Sequence, residues 1–464
     1  MTKQRPSVSI VYAVENATID SADSLRSIIG QTLQDCEILV TGLLVNKLAG
    51  KIDVGNKQIH FINTKANAGV YGSFNKGMQH ATGTYLCFVN PNEFSAQTRL
   101  ESQVEVLKGS RLLGCIGSAL EHQQDYVNLP VTHMPPLKDA DIRIGFLKSN
   151  SLILSTALFR SAWLEKYNLR FDVSRGQAAA YEFITRCSEN FKLGNREDVL
   201  VTVKNQHYGD ATVRRKRKKN FDQLRLHLLS RLKPSLTTAE KKLHLALMND
   251  EYLSDEELDN AIEWANTLLG ENYKKNIYPH KQLLRFFETQ IQNSVHRNNL
   301  GGWSIEKGLL NFISTLIKPG ERILEFGSGE GTGVLLKKYK VTSIEHDINF
   351  AYQRDGDHTC LHAPLTEGWY DAAIVKKALK EEYDLVLVDG PPRETRANIV
   401  KYAALFRQHK MTVIFDDMDR QADKAAMIAF CEKLGYSYTI MQGTSKQFAL
   451  CTKITGKTQT TRKS

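Results

Sequence analysis

The chain has 464 residues, of which 42% are hydrophobic and 24% are charged. These are ordinary values for folded proteins, so they exclude a disordered, collagen-like or disulfide-scaffold protein. The length predicts two or three domains. No apolar run approaches ~20 residues, and the N-terminus leads directly into a strand-like run without the apolar core of a signal peptide. The sequence therefore predicts a cytoplasmic protein.

The seven cysteines are scattered along the chain, and none belongs to a Cys-x-x-Cys pair. Their odd number and their spacing favour free, mostly buried thiols in a reducing compartment over disulfides or zinc sites.

Most of the net charge of +10 comes from one run of six basic residues. They are Arg214, Arg215, Lys216, Arg217, Lys218 and Lys219. Two interpretations stay open: a solvated segment that opens a helix, or a patch that contacts an anionic membrane surface or a nucleic acid.

The first 210 residues alternate predicted strands and helices. The strands are predicted at 7–14, 36–40, 59–63 and 84–89, and the helices at 21–30 and 71–80. This β-α-β alternation predicts a largely parallel sheet with right-handed crossovers.

The pattern changes after residue 212. From 213 to 300 apolar residues recur at helical spacing, and Thr237 or Thr238 before Glu240 is typical of a helix start. The strand–helix alternation returns at 301 and continues to 453. We therefore predict an α/β domain at 1–212, a helical connector at 213–300, a second α/β domain at 301–453 and a disordered tail at 454–464.

The strongest motif is ILEFGSGEGTG, residues 323–333, in which an apolar strand ends at Glu325. The glycines that follow are Gly327, Gly329, Gly331 and Gly333. They let the backbone approach a ligand, and the next helix presents its N-terminus. A dinucleotide fingerprint would need glycine at Thr332. The acid before the loop favours a cationic ligand such as S-adenosylmethionine, and Glu345 ends the next strand, where it could bind ribose hydroxyls. The alternative is a glycine turn that binds no nucleotide.

With this loop, both acids and a final strand pair at 436–441 and 447–452, residues 301–453 resemble the class I methyltransferases. The resemblance implies a Rossmann-like fold and methyl transfer from S-adenosylmethionine. It also implies that the cofactor contacts are Glu325, Gly327, Ser328, Gly329 and Glu345.

Three acids follow two further strands: Asp389 follows YDLVLV, and Asp416 and Asp417 follow MTVIF. The carboxyl ends of parallel strands share one edge of a sheet, where three carboxylates would repel each other unless a cation lay between them. Oxygen ligands suit Mg²⁺ or Mn²⁺. The alternative is that Asp389 belongs only to a turn, while the other two cap a helix.

The arrangement resembles metal-dependent O-methyltransferases, in which the metal binds the acceptor hydroxyl and lowers its pKa. On this resemblance the three aspartates are both the metal ligands and the catalytic residues. The sequence has Pro392 where the catechol-type enzymes have a lysine. His346, His362 and Asp419 stay open as candidate bases.

The N-terminal segments PSVSIVYAVEN, LRSIIGQTLQDCEILV and NAGVYGSFNKGMQHATGTYLCFVNPNE resemble family 2 glycosyltransferases of the GT-A fold over residues 6–210. The resemblance implies a domain that binds a nucleotide sugar, and inverting sugar transfer.

The residues that would carry this chemistry differ from the family pattern. Thr41 and Gly42 stand where acids bind the nucleobase, Asn90-Pro91-Asn92 replaces the metal-binding D-x-D with Glu93 nearby, and Ala179 and Ala180 replace the catalytic acids. Glu182 lies two residues further on, and His207 aligns with a metal-binding histidine. Because neutral side chains bind cations weakly and cannot take a proton, we predict a degenerate domain that binds sugar or acceptor. An active, divergent transferase stays open.

The two resemblances together predict a metal-assisted O-methyltransferase that acts on a glycan or a lipid-linked saccharide. The basic run would then be a peripheral contact at the inner membrane face. The alternatives are a bifunctional enzyme of surface polysaccharide biosynthesis that also uses a nucleotide sugar, and a non-catalytic scaffold. An RNA methyltransferase is not favoured, because the basic residues are not interleaved with aromatic residues.

Overall fold

The computed structural model describes residues 5–14, 19–43, 45, 58–65, 68–124, 127–204, 211–298, 305–354, 356–391, 393–408 and 411–454. His207, Pro392 and residues 455–464 of the predicted tail lie outside the described residues. The chain separates into two compact units. The first is Met1–Asn249 with Ala261–Thr289, and the second is Asp250–Asn260 with Gln290–Ser464.

The first unit contains a sheet with nine described strands. They are β1 (Val8–Val14), β2 (Cys36–Gly42), β3 (Gln58–Asn63), β4 (Tyr85–Val89), β5 (Glu93–Ser95), β6 (Leu113–Gln124), β7 (Val127–His133), β8 (Leu158–Arg160) and β9 (Lys192–Lys204). Their order is β3-β2-β1-β4-β8-β6-β9-β5, with β7 paired to β6. The predicted parallel pairing is confirmed for β1 to β4. The other half is mixed, because β8 runs antiparallel to both β4 and β6.

Helices connect these strands. They are α1 (Ile19–Ile29), α2 (Gly69–Met78), α3 (Arg99–Gly109), α4 (Asp139–Gly145), α5 (Ser161–Lys166) and α6 (Ala179–Asn190), with short 3₁₀ turns at Leu154–Thr156 and Val173–Ala178. The elements predicted over the first 90 residues are confirmed to within two residues at each end. All seven residues of β1 are buried, as expected for a central strand covered on both faces.

Four helices occupy the segment for which we predicted helices: α7 (Ala211–Leu232), α8 (Thr238–Met248), α9 (Asp255–Lys275) and α10 (His280–Asn298). The two compact units share this segment, and the connector with its bounds at 213 and 300 stays a prediction. Helix α8 begins with a capping box: the Glu240 amide donates to Thr237 Oγ1 (3.2 Å), and the Thr237 amide donates to Glu240 Oε2 (2.7 Å). Among the described residues, no helix combines the length and the apolar character needed to cross a bilayer.

The second unit has its own sheet. Its strands are β10 (Arg322–Phe326), β11 (Lys340–Glu345), β12 (His358–His362), β15 (Leu385–Val388), β16 (Thr412–Phe415), β17 (Tyr436–Gln442) and β18 (Gln447–Lys453), and β13 (Leu365–Thr366) and β14 (Trp369–Tyr370) form a separate hairpin. The order is β12-β11-β10-β15-β16-β18-β17. Strand β18 runs antiparallel to both of its neighbours, which confirms the predicted final hairpin.

Helices α11 (Lys307–Leu316), α12 (Glu330–Leu335), α13 (Ala372–Ala378), α14 (Ile399–Tyr402) and α15 (Gln421–Leu434), with 3₁₀ turns at Arg393–Asn398 and Ala403–Phe406, complete the second unit. Its apolar strands are buried. Because β10, β11, β15 and β16 are parallel, the polar residues at their carboxyl ends lie at one edge of the sheet. The seven cysteines all lie in the described residues, where none of them forms a disulfide and six of them are buried.

Candidate functional site

The glycine loop lies between β10 and α12. Gly327 has φ +110°, a backbone conformation that side chains rarely adopt, and it packs against the backbone of Gly390. A Cβ atom placed on Gly329 or Gly333 would meet open space. The loop therefore follows the sheet edge closely on one side and leaves the other side open to a ligand.

Glu325 shapes this loop from inside the protein. Its side chain is buried, with the residue only 3% exposed, and its Oε2 accepts hydrogen bonds from Thr332 Oγ1 (2.7 Å) and Ser343 Oγ (2.8 Å). Thr332 Oγ1 in turn accepts from the Gly329 amide (3.0 Å). Both hydroxyls bond to Oε2, and the predicted contact between the Glu325 carboxylate and a cofactor stays a prediction.

This buried carboxyl makes stability depend on pH. Burial raises the pKa of Glu325 from an ordinary 4.5 to about 7. Because the folded protein keeps a proton that the unfolded chain releases between these values, the free energy of unfolding should fall as the pH rises through this window. Glu325→Gln keeps an acceptor for both hydroxyls, so above pH 7 it should be more stable than the wild type by on the order of 2 kcal/mol. Denaturant unfolding near pH 4.5 and above pH 7 tests this. A variant with the same pH profile as the wild type would contradict it.

Glu345 joins the end of β11 to the glycine loop. Its Oε2 accepts from the Ser328 amide (2.8 Å), and its Oε1 accepts from the Asp347 amide (2.8 Å) and lies 2.7 Å from His346 Nδ1. The contact with the Glu345 carboxylate raises the pKa of His346. A carboxylate offers about four acceptor positions, so one remains for a ligand hydroxyl.

Tyr370 is a residue at this edge that the sequence analysis missed. Its hydroxyl is buried without a hydrogen-bond partner among the described residues, and a Cβ atom on Gly390 would overlap it. Burial raises the pKa of Tyr370 well above its ordinary value, and the charge of Glu345 adds to the shift. The segment GWYD around it has no recognisable spacing, so only the fold reveals this hydroxyl beside the glycine loop.

The three predicted aspartates do converge. Oxygen atoms of Asp389, which follows β15, and of Asp416 and Asp417, which follow β16, all lie within 4.8 Å of one another. Within the part of the chain that the structure describes, this is the group of histidine, cysteine and acidic side chains arranged closely enough to bind a metal ion. The predicted meeting of carboxylates is confirmed, whereas the divalent ion stays a prediction.

Two side chains of the protein already bring positive charge to this cluster. Lys446 Nζ lies 2.7 Å from Asp416 Oδ2 and 3.1 Å from Asp417 Oδ1. Arg396 lies 3.0 Å from Asp417 Oδ2 and 3.5 Å from Asp389 Oδ1. Although burial opposes the shift, these cations lower the pKa of Asp417. Burial and the charge of Asp416 instead raise the pKa of Asp389 well above its ordinary value.

The other candidate bases lie outside the cluster or are engaged. Asp419 Oδ2 accepts from the Gln447 amide (2.6 Å). His362 Nε2 lies 3.0 Å from the backbone oxygen of His346, which itself contacts Glu345.

In the first unit, the end of β4 has no free acid at the expected metal-binding position. Glu93 turns back on the strand end: its Oε2 accepts from the Asn90 amide (2.8 Å), and its Oε1 accepts from Asn90 Nδ2 (3.0 Å). Burial raises the pKa of Glu93. At the end of β2, Thr41 is buried, and a side chain at Gly42 would overlap the Val14 backbone oxygen. There is thus no space at residue 42 for an acid that binds a nucleobase.

Ala179 and Ala180 form the first turn of α6, at the positions of the catalytic acids in the family pattern. An alanine side chain cannot take a proton. Glu182 does not replace them, because both of its oxygens accept from Arg186 (2.6 and 2.9 Å).

The start of the basic helix α7 packs close to this region. Asn220 Nδ2 donates to the Arg175 backbone oxygen (3.1 Å), and the Arg217 guanidinium lies 5.3 Å from the Phe221 ring. Burial raises the pKa of Tyr71 in α2 to about 12, while the charge of Glu93 adds to the shift and that of Arg217 opposes it. The charges of Arg217 and Glu93 thus both act on the Tyr71 hydroxyl.

Comparison with known proteins indicates the family of the N-terminal region. The model of glycosyl transferase family 2 matches residues 22–168. The N-terminal region is a family 2 glycosyltransferase domain, with an α/β GT-A-like fold. An uncharacterized glycosyltransferase of Methanocaldococcus jannaschii is 26% identical over 240 residues, which cover 47% of this chain and 82% of that protein. An uncharacterized glycosyltransferase of Haemophilus influenzae is 26% identical over 210 residues, or 42% of this chain and 64% of that protein.

Two solved structures align with this chain at low similarity. S. aureus TarS in complex with UDP aligns with a TM-score of 0.41 and 13% identity over 62% of this chain and 89% of that one. A mannosyltransferase from Pyrobaculum calidifontis in complex with GDP-Man and Mn²⁺ aligns with a TM-score of 0.38 and 14% identity over 64% of this chain and 87% of that one. The sugar donor and any metal ion of these two proteins are properties of those proteins alone.

Proposed function

We propose that the chain is a bifunctional glycan enzyme. Its glycosyltransferase domain transfers a sugar from a nucleotide sugar, and its second unit methylates a glycan hydroxyl with S-adenosylmethionine. The family match supports the first activity. The edge of the second sheet supports the methyl-transfer activity, because an open glycine loop there lies beside carboxylates at the ends of β10 and β11. The proposal therefore takes the alternative of an active glycosyltransferase domain in place of the predicted degenerate one.

For sugar transfer, we propose that the protein itself supplies the positive charge that the donor diphosphate needs. The β4 end offers Asn90, Asn92 and an internally bonded Glu93, which suit a metal ion poorly. The charge of Arg217 acts on Tyr71, as does the charge of Glu93 at this strand end, and guanidinium groups bind phosphate oxygens well. The basic run thereby has a role inside the domain. An anionic membrane surface as its partner stays a prediction.

For methyl transfer, the proposal uses three parts of the second sheet edge. The open side of the glycine loop receives the methionine part of the cofactor, and the remaining acceptor position of Glu345 binds a ribose hydroxyl. S-adenosylmethionine supplies the electrophilic methyl group when bound. The acceptor hydroxyl lies beside Asp389, Asp416 and Asp417, whose carboxylates orient it and take its proton. The reversed strand β18 supports this, because the resemblance implies such a closing hairpin.

Calorimetry of the intact protein tests both activities. S-adenosylmethionine should bind at one site, and one member of a panel of UDP- and GDP-sugars should bind equally well with and without chelator. Arg217→Gln should weaken nucleotide-sugar binding about tenfold, the scale of one charged hydrogen bond. Lys219→Gln, with the same charge change on an exposed residue of the same helix, is the control.

The possible failures are distinct. A folded protein that does not bind S-adenosylmethionine would exclude the methyltransferase and favour a scaffold role for the second unit. Sugar transfer that stops with chelator would show that a metal, and not Arg217, meets the diphosphate.

A further inference from the structure

We propose that Lys446 is the resident cation of the carboxylate cluster, so that this site works without a divalent metal ion. The role of the site in methyl transfer rests on the proposed function, whereas the occupancy of the cluster by Lys446 does not.

The first argument is position. Lys446 Nζ is within hydrogen-bond distance of both Asp416 Oδ2 (2.7 Å) and Asp417 Oδ1 (3.1 Å). An ion bound through these two oxygens would need to lie about 2.0–2.1 Å from each of them. An ammonium group and a divalent ion cannot share this space, because they would repel each other at contact distance. These two oxygens are therefore closed to a metal ion while Lys446 is in place.

The second argument is charge. The carboxylates gathered here are Asp389, Asp416, Asp417 and Asp423, and the cations paired with them are Arg396, Arg420 and Lys446. Three cationic side chains thus face four carboxyl groups. The requirement for a cation between the aspartates, on which the metal prediction depended, is met by side chains of the protein itself.

The third argument is that the turn carrying Lys446 is built to hold it. Glu306 is fully buried, and its carboxylate accepts from the backbone amides of Thr444 (2.6 Å), Ser445 (2.6 Å) and Lys446 (3.3 Å). The Gly443 amide donates to the Lys446 backbone oxygen (2.9 Å). The side chain of Lys446 is only 14% exposed. A lysine held by a buried carboxylate in a closed turn is a fixed part of the site.

Lys446 is thereby a positioning residue. Its ammonium holds Asp416 and Asp417 together, and it gives the acceptor side of the edge the positive potential that an ion would otherwise supply. A negative charge that develops on the acceptor oxygen would be stabilised by this fixed group.

Manganese binding by the full-length protein tests this inference, with electron paramagnetic resonance as the readout and without cofactor or acceptor. Wild type, Lys446→Arg and the control Lys433→Met should have the same Mn²⁺ affinity, and Asp416→Asn should leave it unchanged. Lys433 lies on α15, where its Nζ donates to the Val400 backbone oxygen (3.2 Å). Lys446→Met should gain one Mn²⁺ site at least tenfold tighter than any in the wild type, and this site should be lost in Lys446→Met/Asp416→Asn.

Two results would overturn the inference. One is a wild-type Mn²⁺ site that Asp416→Asn removes. The other is a Lys446→Met protein that folds, by circular dichroism, but gains no Mn²⁺ site. Because neither result involves S-adenosylmethionine, the inference can fail while the proposed methyltransferase stands, and the reverse also holds.

Discussion

Replacing Arg396 by alanine should lower the free energy of unfolding of the second unit by about 3–5 kcal/mol, the usual cost of leaving buried charges without their partner. The side chain of Arg396 is only 4% exposed. It donates to Asp417 Oδ2 (3.0 Å) and to the backbone oxygens of Pro391 (3.3 Å) and Asp416 (3.3 Å). Alanine would remove all of these bonds and leave Asp389 and Asp417 with one cation fewer inside the protein. Denaturant unfolding, followed by the fluorescence of the buried Trp369, measures the loss.

Arg420→Ala is the matched control. Arg420 also binds Asp417 Oδ2 (2.9 Å) and lies 3.7 Å from Asp423, but its side chain is 42% exposed. Water screens such a pair, so this variant should lose about 1 kcal/mol or less. Equal losses in the two variants would show that burial does not govern the energetics of the cluster.

Replacing Glu345 by alanine should weaken S-adenosylmethionine binding by roughly 1.5–3 kcal/mol, the usual scale for hydrogen bonds to a charged group. The variant loses the acceptor proposed for a ribose hydroxyl. It also loses the bond from the Ser328 amide that ties the glycine loop to β11. Calorimetry with the pure cofactor measures the change.

The control for this binding experiment is Glu381→Ala. Glu381 is an exposed acid of the same unit that pairs with Arg322 at the surface (3.1 Å). Its removal changes the net charge equally and should leave the affinity unchanged. If the folded Glu345→Ala protein binds S-adenosylmethionine as tightly as the wild type, Glu345 does not contact the cofactor.

Glu345 and Arg396 belong to the same sheet edge, but only the role of Glu345 was predicted from the sequence. Glu345 was predicted because it ends an apolar strand just after a glycine loop, and the structure places it there. Arg396 lies in a 3₁₀ turn without any motif, 21 residues before Asp417. Its role depends on how that turn folds back over the strand ends.

Several elements and the meeting of the carboxylates follow from the sequence. Local periodicity places strands and helices, and Asp389, Asp416 and Asp417 had to converge because parallel strands β15 and β16 end at one edge. Which side chains these aspartates contact depends on the tertiary fold. Lys446 is about 30 residues away on a hairpin turn, and its position depends on the buried Glu306, 140 residues earlier in the chain. Such pairings arise from packing between distant segments and not from spacing, so neither the resident cation nor the inward direction of Glu325 could be predicted from the residues alone.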